Sequence, residues 1–406
     1  MGDTTIESVD LGSVMGYVRQ AIERVYQYES PETLQEEGVE VLKGQARFEN
    51  SHTLTVASAD SRATISAKKF VLCPGARPIV PDVRGLSEVP YLTYEQVYGL
   101  EVLPEHLLVI GGGPVGVEMA QAFGRLGSRV SLFQGLPRLL PRDEPEASDV
   151  LARVLIDEGV ELHLGARVKG VARHDRRGDI IVRTEVGEVG GDALLVATGR
   201  TPSVDTLELS RAGVTFKTKG VPVNKVLRTN VKHIYAAGDV SGGPQFTHYA
   251  GYQGFVAARN ALFPGASKGL VESVPWTTFT DPEVARAGLT EAEARQKHRE
   301  ADVSVMPMKR VDRAVVESDT EGFIKVVHKK DGTVVGATVV AERAGETIHE
   351  WVLAISNGLK MSDLASTVHV YPTYSIANQQ LASSHSLASF LGGRVGKVLR
   401  RIGGLK

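Results

Sequence analysis

The stretch HLLVIGGGPVGVEMAQAFGRLGSRVSLFQ, residues 106–134, decides the fold. An apolar run ends in three glycines, apolar residues then recur at helical spacing, and a second apolar run follows. It reads as strand, turn, helix, strand. Gly111, Gly113 and Gly116 stand as Gly-x-Gly-x-x-Gly across the turn. The first glycine permits the tight turn. The second lets backbone approach a pyrophosphate, and the third lets the helix pack on the strand. The helix N-terminus then faces the phosphates with its partial positive charge. Between a strand and a helix this pattern marks dinucleotide binding. The plain alternative is a glycine-rich turn that binds nothing.

The end of the second strand reports on the ribose. An acidic residue there would accept from the 2′-hydroxyl of NAD. The residue is Gln134, 23 positions after Gly111. Without an anion, rejection of a 2′-phosphate is lost, and Arg138 and Arg142 follow in position to pair with one. NADPH is therefore expected over NADH, the alternative being that both arginines are solvated.

Outward from this unit, the chain alternates strands and helices. Residues 11–28 carry Leu11, Val14, Met15, Val18 and Ile22 on one helical face. VEVLKGQARFEN and HTLTVAS alternate like a β-hairpin. FVLCPGARP (70–78) and DALLVATGRTP (192–202) each run a short strand into a glycine turn, which suggests two related nucleotide-binding halves. From about Ser273 the pattern becomes antiparallel strands followed by helices, an α+β module after an α/β body.

The 406 residues exceed one core, and two or three domains are expected. A net charge of −2 gives no argument for nucleic acid. No apolar run reaches the roughly 18 residues that span a bilayer, and the start lacks the order of a signal peptide. A cytoplasmic location is the default expectation. One cysteine, Cys73, excludes a disulfide within these residues and a thiolate metal cluster, and no metal site is expected. Cys73 falls in a strand read as buried, where a thiol is usually inert packing. The basic end, with Arg394, Lys397, Arg400, Arg401 and Lys406, reads as a solvated tail or as a helix touching anionic lipid.

A second segment, TNVKHIYAAGD (229–239), delivers Asp239 to the carboxyl end of a strand, where α/β folds bind ligands. VIGGGPVGVE, VATGRTPSVD, TNVKHIYAAGDV, FTHYAGYQG and FTDPEVARAGLTEAEA follow one another at a familiar spacing. Together they resemble the class I pyridine nucleotide–disulfide oxidoreductases, which include dihydrolipoamide dehydrogenase, glutathione reductase and mercuric reductase.

The resemblance implies FAD and NADP (or NAD) as cofactors and a homodimer acting on a small-molecule electron acceptor. Asp239 would bond the ribityl chain of FAD, with Thr247 and His248 near the flavin ring. Gly44 and Ala46 would contact its adenine side, and Gly75 would approach the FAD. Gly111, Gly112, Gly113, Pro114, Val115, Gly116 and Gly199 would hold the nicotinamide dinucleotide, and Val168, on the strand after LHLGA, its adenine side. Glu118 would sit beside the nicotinamide, where relatives pair it with a lysine.

The chain also departs from the resemblance. Relatives open with a strand, a Gly-x-Gly-x-x-Gly and a helix for FAD, then a Cys-x4-Cys disulfide. Nothing before Gly111 matches, so a truncated or mis-started chain is expected. Such a chain should bind FAD weakly or not at all, with buried unpaired backbone groups costing about 1–3 kcal/mol each. Relatives also carry His-x-His-Pro-Thr-x-Ser-Glu, and here it reads His369-Val370-Tyr371-Pro372-Thr373-Tyr374-Ser375-Ile376. A phenol with a pKa near 10 is a poor base at neutral pH, and isoleucine orients nothing. Tyr371 stands at the catalytic position and points to the mercuric-reductase-like branch, and His369 is read as structural.

The expected fold is α/β: two doubly wound nucleotide-binding domains, the first incomplete, plus an α+β C-terminal dimerisation domain. The expected boundaries are 1–100 with 203–270 for FAD, 101–202 for NAD(P), 271–390 for dimerisation and 391–406 for the basic tail. The expected function is hydride transfer from NAD(P)H to FAD without the redox disulfide. The alternatives are a non-catalytic NADPH-binding remnant and a diaphorase- or oxidase-like flavoenzyme.

Overall fold

The computed structural model describes residues 9–174 and 179–393. The basic residues from Arg394 onward, and the lipid contact considered for them, lie outside the described residues.

Helix α1 (Leu11–Tyr26) starts behind Asp10, whose carboxylate accepts from the Gly12 N–H at 3.0 Å. Leu11 and Met15 pack with Val97 in the core, but Ile22 is 52% exposed. The expected apolar face thus docks only through its first turns. After α2 (Pro31–Glu36) come β1 (Gln45–Asn50), β2 (Thr53–Ala57) and β3 (Arg62–Ser66), an antiparallel ladder in that order. β4 (Phe70–Leu72) and β5 (Ala76–Pro78) follow.

Cys73 contradicts the sequence reading. It stands one residue beyond β4 and is exposed, as is Val71. The physical reason is strand alternation: Phe70 and Leu72 face the core, so Val71 and Cys73 fall on the other face, where β4 has a single partner strand among the described residues.

The decisive stretch forms β6 (His106–Ile110), α3 (Pro114–Leu126) and β7 (Arg129–Gln134). α4 (Pro145–Asp157) and β8 (Glu161–Leu164) repeat the unit. An antiparallel insert, β9 (Gly170–Arg173), β10 (Ile180–Arg183) and β11 (Glu188–Gly191), precedes β12 (Ala193–Val196). The parallel order is β12-β6-β7-β8. Leu107, Leu108, Val109, Leu132 and Leu195 are all buried, as a parallel sheet covered on both faces requires.

β13 (Arg200–Pro202) returns to pair antiparallel with β5, and β14 (Ile234–Ala236) lies parallel to β4. α5 (Thr247–Leu262) follows the Asp239 turn. The C-terminal module is a five-stranded antiparallel sheet made of β15 (Trp276–Thr278), β16 (Glu283–Gly288), β17 (Asp302–Pro307), β18 (Phe323–His328) and β19 (Val334–Ala341). Its order is β15-β16-β19-β18-β17. Around it lie α6 (Glu291–Lys297), α7 (Asp312–Glu317), α8 (Ala344–Thr347), α9 (His349–Asn357), α10 (Met361–Ala365) and α11 (Ile376–Gly392). β16 has no signature in the apolar alternation, because Glu283 and Arg286 interrupt it. Arg286 is nevertheless buried, because it serves the junction between modules.

That junction is ionic. Lys325, buried on β18, reaches Glu144 at 3.2 Å, Glu146 at 2.8 Å and Glu291 at 2.7 Å. Arg286 stacks 4.7 Å over the Trp276 ring and pairs with Glu293 at 2.5 Å. The Trp276 indole donates to Asp143 at 3.0 Å. These contacts fasten the segment 138–146, next to the glycine turn, onto the C-terminal sheet.

Two predictions follow from the buried charges. Lys325→Met leaves the buried Glu144 without its cation, and the expected loss is about 3–5 kcal/mol. A urea midpoint equal to that of the parent would reject this. Asp143 adds a pH term: burial pushes its carboxyl from 3.8 up to about 6, against the pull of Arg286 and the Trp276 N–H. Between those values the folded chain holds the proton more tightly than the unfolded chain, so the group's stabilisation is complete below the window and is lost as pH rises through it. Asp143→Asn is expected to flatten that part of the stability–pH curve, on the order of 2–3 kcal/mol. Identical curves for the two proteins would exclude the assignment.

Candidate functional site

The glycine turn is built by close approach. Gly111 has φ +119°, and a Cβ there would meet the Ala197 carbonyl oxygen at 2.4 Å. A Cβ on Gly116 would meet the Gly111 carbonyl oxygen at 1.8 Å, so α3 lies directly on the turn. Gly113 is different. It caps α3, and a Cβ there would meet nothing within 4 Å, so open space remains at the helix N-terminus. Pro114 occupies the first helical position, where a missing N–H costs nothing.

Gly111, Gly112, Gly113, Pro114 and Val115, together with Gln134 and Gly199, line one cleft of about 410 Å³. The structure thus brings together seven of the residues expected from the sequence. Gly116 supports the cleft from beneath. Other wall residues were not legible in the sequence, among them Tyr94, Arg200, Gln245 and Phe246. Arg200 follows the VATG turn directly, which was the available signal; Tyr94 lies in a loop with none.

At the ribose end, the Gln134 amide donates to the Arg138 carbonyl at 3.4 Å. Arg142 lines the cleft, its guanidinium 5.7 Å over the Trp276 ring. Arg138 lines an adjoining cavity of about 360 Å³ that Arg142 and Arg286 also face. A dinucleotide therefore fits: helix N-terminus, backbone approach and a cationic end without a carboxylate at Gln134.

At the other end, Arg200 pairs with Asp239 at 3.3 Å and donates to the Gln245 carbonyl. Asp239 is largely buried, and burial pushes its carboxyl up while Arg200 pulls it down. Beside it, Gln253 accepts from the Gly238 N–H at 2.8 Å, and its buried Nε2 has no partner in the described structure. Thr247 opens α5, and His248 donates through Nε2 to the Pro275 carbonyl at 2.8 Å. Phe246 stacks on His248 and on Trp276, at 5.5 and 5.8 Å between centroids. Gly75, φ +70°, makes the turn after β4. Its carbonyl accepts from Ser203 at 3.0 Å. For FAD the fit is partial. Asp239, Gly75 and the orphaned Gln253 amide form one side, whereas Gly-x-Gly-x-x-Gly occurs only at Gly111.

The remaining expected residues lie apart from the cleft. Ala46 belongs to the β1–β3 ladder and Gly44 immediately precedes it, where a Gly44 Cβ would meet the Ala57 carbonyl oxygen at 2.6 Å. Val168 is not on a strand, as the sequence suggested. It lies in the connection from β8 to β9, half-buried against Val171 and its neighbours, because β8 already ends at Leu164. Glu118 does not line the cleft. Its carboxylate accepts from the Phe279 N–H at 2.8 Å, and burial pushes its pKa up.

In the C-terminal module the Tyr371 hydroxyl donates to Asp312 at 2.8 Å. His369 pairs through Nε2 with Glu350 at 2.9 Å, and Glu350 also accepts from Asn378 at 2.9 Å. Burial pulls the imidazole pKa down, but Glu350 and the Thr367 carbonyl outweigh it and raise the value. Glu317, Asp319 and Glu342 converge too, but on the Tyr374 hydroxyl, at 2.8, 3.2 and 2.7 Å.

Among the described residues no helix is long and apolar enough to cross a membrane. Residues 7–254 match the family described as pyridine nucleotide-disulphide oxidoreductase, and residues 274–382 match its dimerisation domain. The mercuric reductase of Bacillus cereus is 37% identical over 91% of this chain, which spans 59% of that enzyme's length. The dihydrolipoyl dehydrogenase of Bacillus subtilis is 34% identical over 82% of this chain and 72% of its own. Among solved structures, the HOCl-induced flavoprotein disulfide reductase RclA of Escherichia coli superposes with a TM-score of 0.86. It is 28% identical and covers 93% of this chain and 86% of its own. Members of this group depend on FAD and a nicotinamide nucleotide. On these matches and on the fold, the chain belongs to the pyridine nucleotide–disulphide oxidoreductase family.

Proposed function

We propose that this chain is the NADPH-oxidising body of a mercuric-reductase-like flavoprotein, passing a hydride to FAD and onward to a small-molecule acceptor. The observation that carries this is the Arg200–Asp239 pair. Arg200 lines the dinucleotide cleft, and Asp239 is the residue that the resemblance assigns to the flavin's ribityl chain, 3.3 Å away. The two cofactor positions therefore meet at one ion pair. Residues 101–202 form the nicotinamide-nucleotide unit in this reading, 1–100 with 203–270 the flavin unit, 271–390 the unit through which two copies pair, and 391–406 a tail.

The named residues have separate tasks. The α3 N-terminus and the backbone of Gly111 to Val115 hold the dinucleotide phosphates. Gln134 leaves room for a 2′-phosphate, and Arg142 supplies its countercharge. Gly199 lets the opposite wall approach. Asp239, Gly75, Gly44 and Ala46 hold the flavin side, with Thr247 and His248 toward its ring. Glu118 closes the base of the nicotinamide end through Phe279. When bound, FAD accepts the hydride and supplies the redox chemistry. These 406 residues contribute one cysteine, Cys73, so no disulfide step is assigned to them, and the proposed acceptor is a small molecule.

NADPH titration of the 406-residue chain, with added FAD and ferricyanide as acceptor, tests the reading. Binding without turnover would leave an NADPH-binding dimer; neither binding nor turnover would overturn the proposal. Arg142→Ala should weaken NADPH about 10- to 100-fold and leave NADH unchanged, the range set by loss of one charge-assisted contact. Gln134→Glu should reverse the preference. Equal losses for both nucleotides would deny a 2′-phosphate site.

The glycines separate fold from binding. Gly116→Ala should cost about 1–3 kcal/mol by overpacking, seen as a lower melting temperature. Gly113→Ala should melt like the parent yet bind NADPH more weakly, since its Cβ enters the open space that the phosphates would use. Unaltered NADPH affinity in Gly113→Ala would place the dinucleotide elsewhere.

A further inference from the structure

A second cavity lies away from the dinucleotide cleft. It measures about 630 Å³ and is walled on one side by α5 and the segment 268–273, on the other by the C-terminal sheet and the end of α9. That volume is typical of a small-molecule site. Its walls are fixed by hydrogen bonds from both modules. The Tyr252 hydroxyl donates to the Lys268 carbonyl at 3.0 Å, and the Gly288 N–H donates to Ser273 Oγ at 2.8 Å. The Gly269 N–H is held by the Lys225 carbonyl at 2.9 Å, and Leu289 N–H by that of Val335 at 2.9 Å. The cavity is therefore preformed.

Its chemistry is two-sided. Leu270 and Val271 are exposed at 38% and 41%, and with Leu289 and Ile355 they give an apolar floor. Lys268, Lys297, Lys329 and His298 stand around it, against one carboxylate, Glu272. Two other surface lysines of this module are paired: Lys330 with Glu300 at 3.2 Å and Lys360 with Asp331 at 3.2 Å. None of the three pocket lysines has a carboxylate partner among the described residues. Unneutralised cations around an apolar floor suit a ligand with the opposite distribution.

We infer that this pocket binds a small amphipathic organic anion, its carboxylate or sulfonate among Lys268, Lys297 and Lys329 and its apolar body on Leu270, Val271 and Ile355. The apolar contact anchors the body, and the lysines select charge. Affinity should therefore fall with added salt, because these cations are solvent-accessible. The site is independent of the dinucleotide cleft.

The probes are 8-anilinonaphthalene-1-sulfonate, followed by its fluorescence gain on the full 406-residue chain, and decanoate as competitor, with decanol as its uncharged counterpart. Decanoate should displace the dye, and decanol should compete about tenfold more weakly. Two variants locate the site. Lys297→Gln with Lys329→Gln should weaken the dye about tenfold or more. Ser356→Trp should block it by filling the space from an exposed helical position. In both, NADPH titration should match the parent. Dye binding unchanged in both variants would put the probe elsewhere, such as on the exposed flank of α1, and would overturn the assignment. Absence of dye binding in the parent would overturn it as well.

Discussion

A Cβ on Gly116 would stand 1.8 Å from the Gly111 carbonyl oxygen, so α3 reaches its seat only because that atom is absent. The rest of the molecule hangs on this contact. It points the first turn of α3, with Gly113 and Pro114, into the cleft. One turn further on, the same helix holds the C-terminal module. Glu118 accepts from Phe279, and Gln121 brackets Asp281 with two 2.7 Å hydrogen bonds to its backbone N–H and carbonyl. A shift of α3 by a methyl radius would therefore move both the phosphate-binding end and the module junction. One constraint of packing sets two distances that function requires together.

The ionic junction then fixes the other side of the cleft. Taking Lys325 and Glu144 out of water costs several kcal/mol per ion, and their attraction recovers that only with good geometry. Such a cluster is poor evidence for net stability and better evidence for specificity of docking. Trp276 shows what the docking achieves. Arg286 and Arg142 lie over its indole ring, its N–H is taken by Asp143, and Phe246 of the cleft wall stacks on it. Arg142 is thus held by a residue of the C-terminal sheet while it lines the dinucleotide cleft. The nucleotide end of the site is built jointly by two modules.

How much of this was legible varies with the range of the interaction. The parallel sheet, the turn and Gln134 were readable, because strand periodicity and glycine spacing are local signals. Asp239 was readable as a strand-end residue, but its partner Arg200 was not, because they meet only after β13 has returned to β5 and β14 to β4. Val168 was misplaced by four residues of drift beyond a strand that stops at Leu164. β16 was missed because Arg286 breaks its alternation, and its burial becomes reasonable only once Trp276, Glu293 and the Arg142 carbonyl are beside it. Cys73 was assigned to the interior on local hydrophobicity, yet its exposure is set by the face of β4 on which it falls.

The segment 369–376 carries the same lesson into chemistry. Read alone, it lacks a histidine–glutamate pair, since Ile376 stands at the acid's position. Folded, it has one: His369 with Glu350, a residue nineteen positions earlier on α9. This pair is braced by Asn378, which also accepts from the Trp351 indole at 2.7 Å. Its imidazole is spent on the Glu350 carboxylate and the Thr367 carbonyl, so it has no free nitrogen to offer a substrate. Tyr371, 63% exposed beside the exposed Val368 and Val370, presents surface instead. Its phenol is pushed up by Asp312, further from any role as a base near neutral pH. Both polar groups of this stretch are therefore committed within the fold: the two imidazole nitrogens of His369 to Glu350 and Thr367, and the Tyr371 hydroxyl to Asp312.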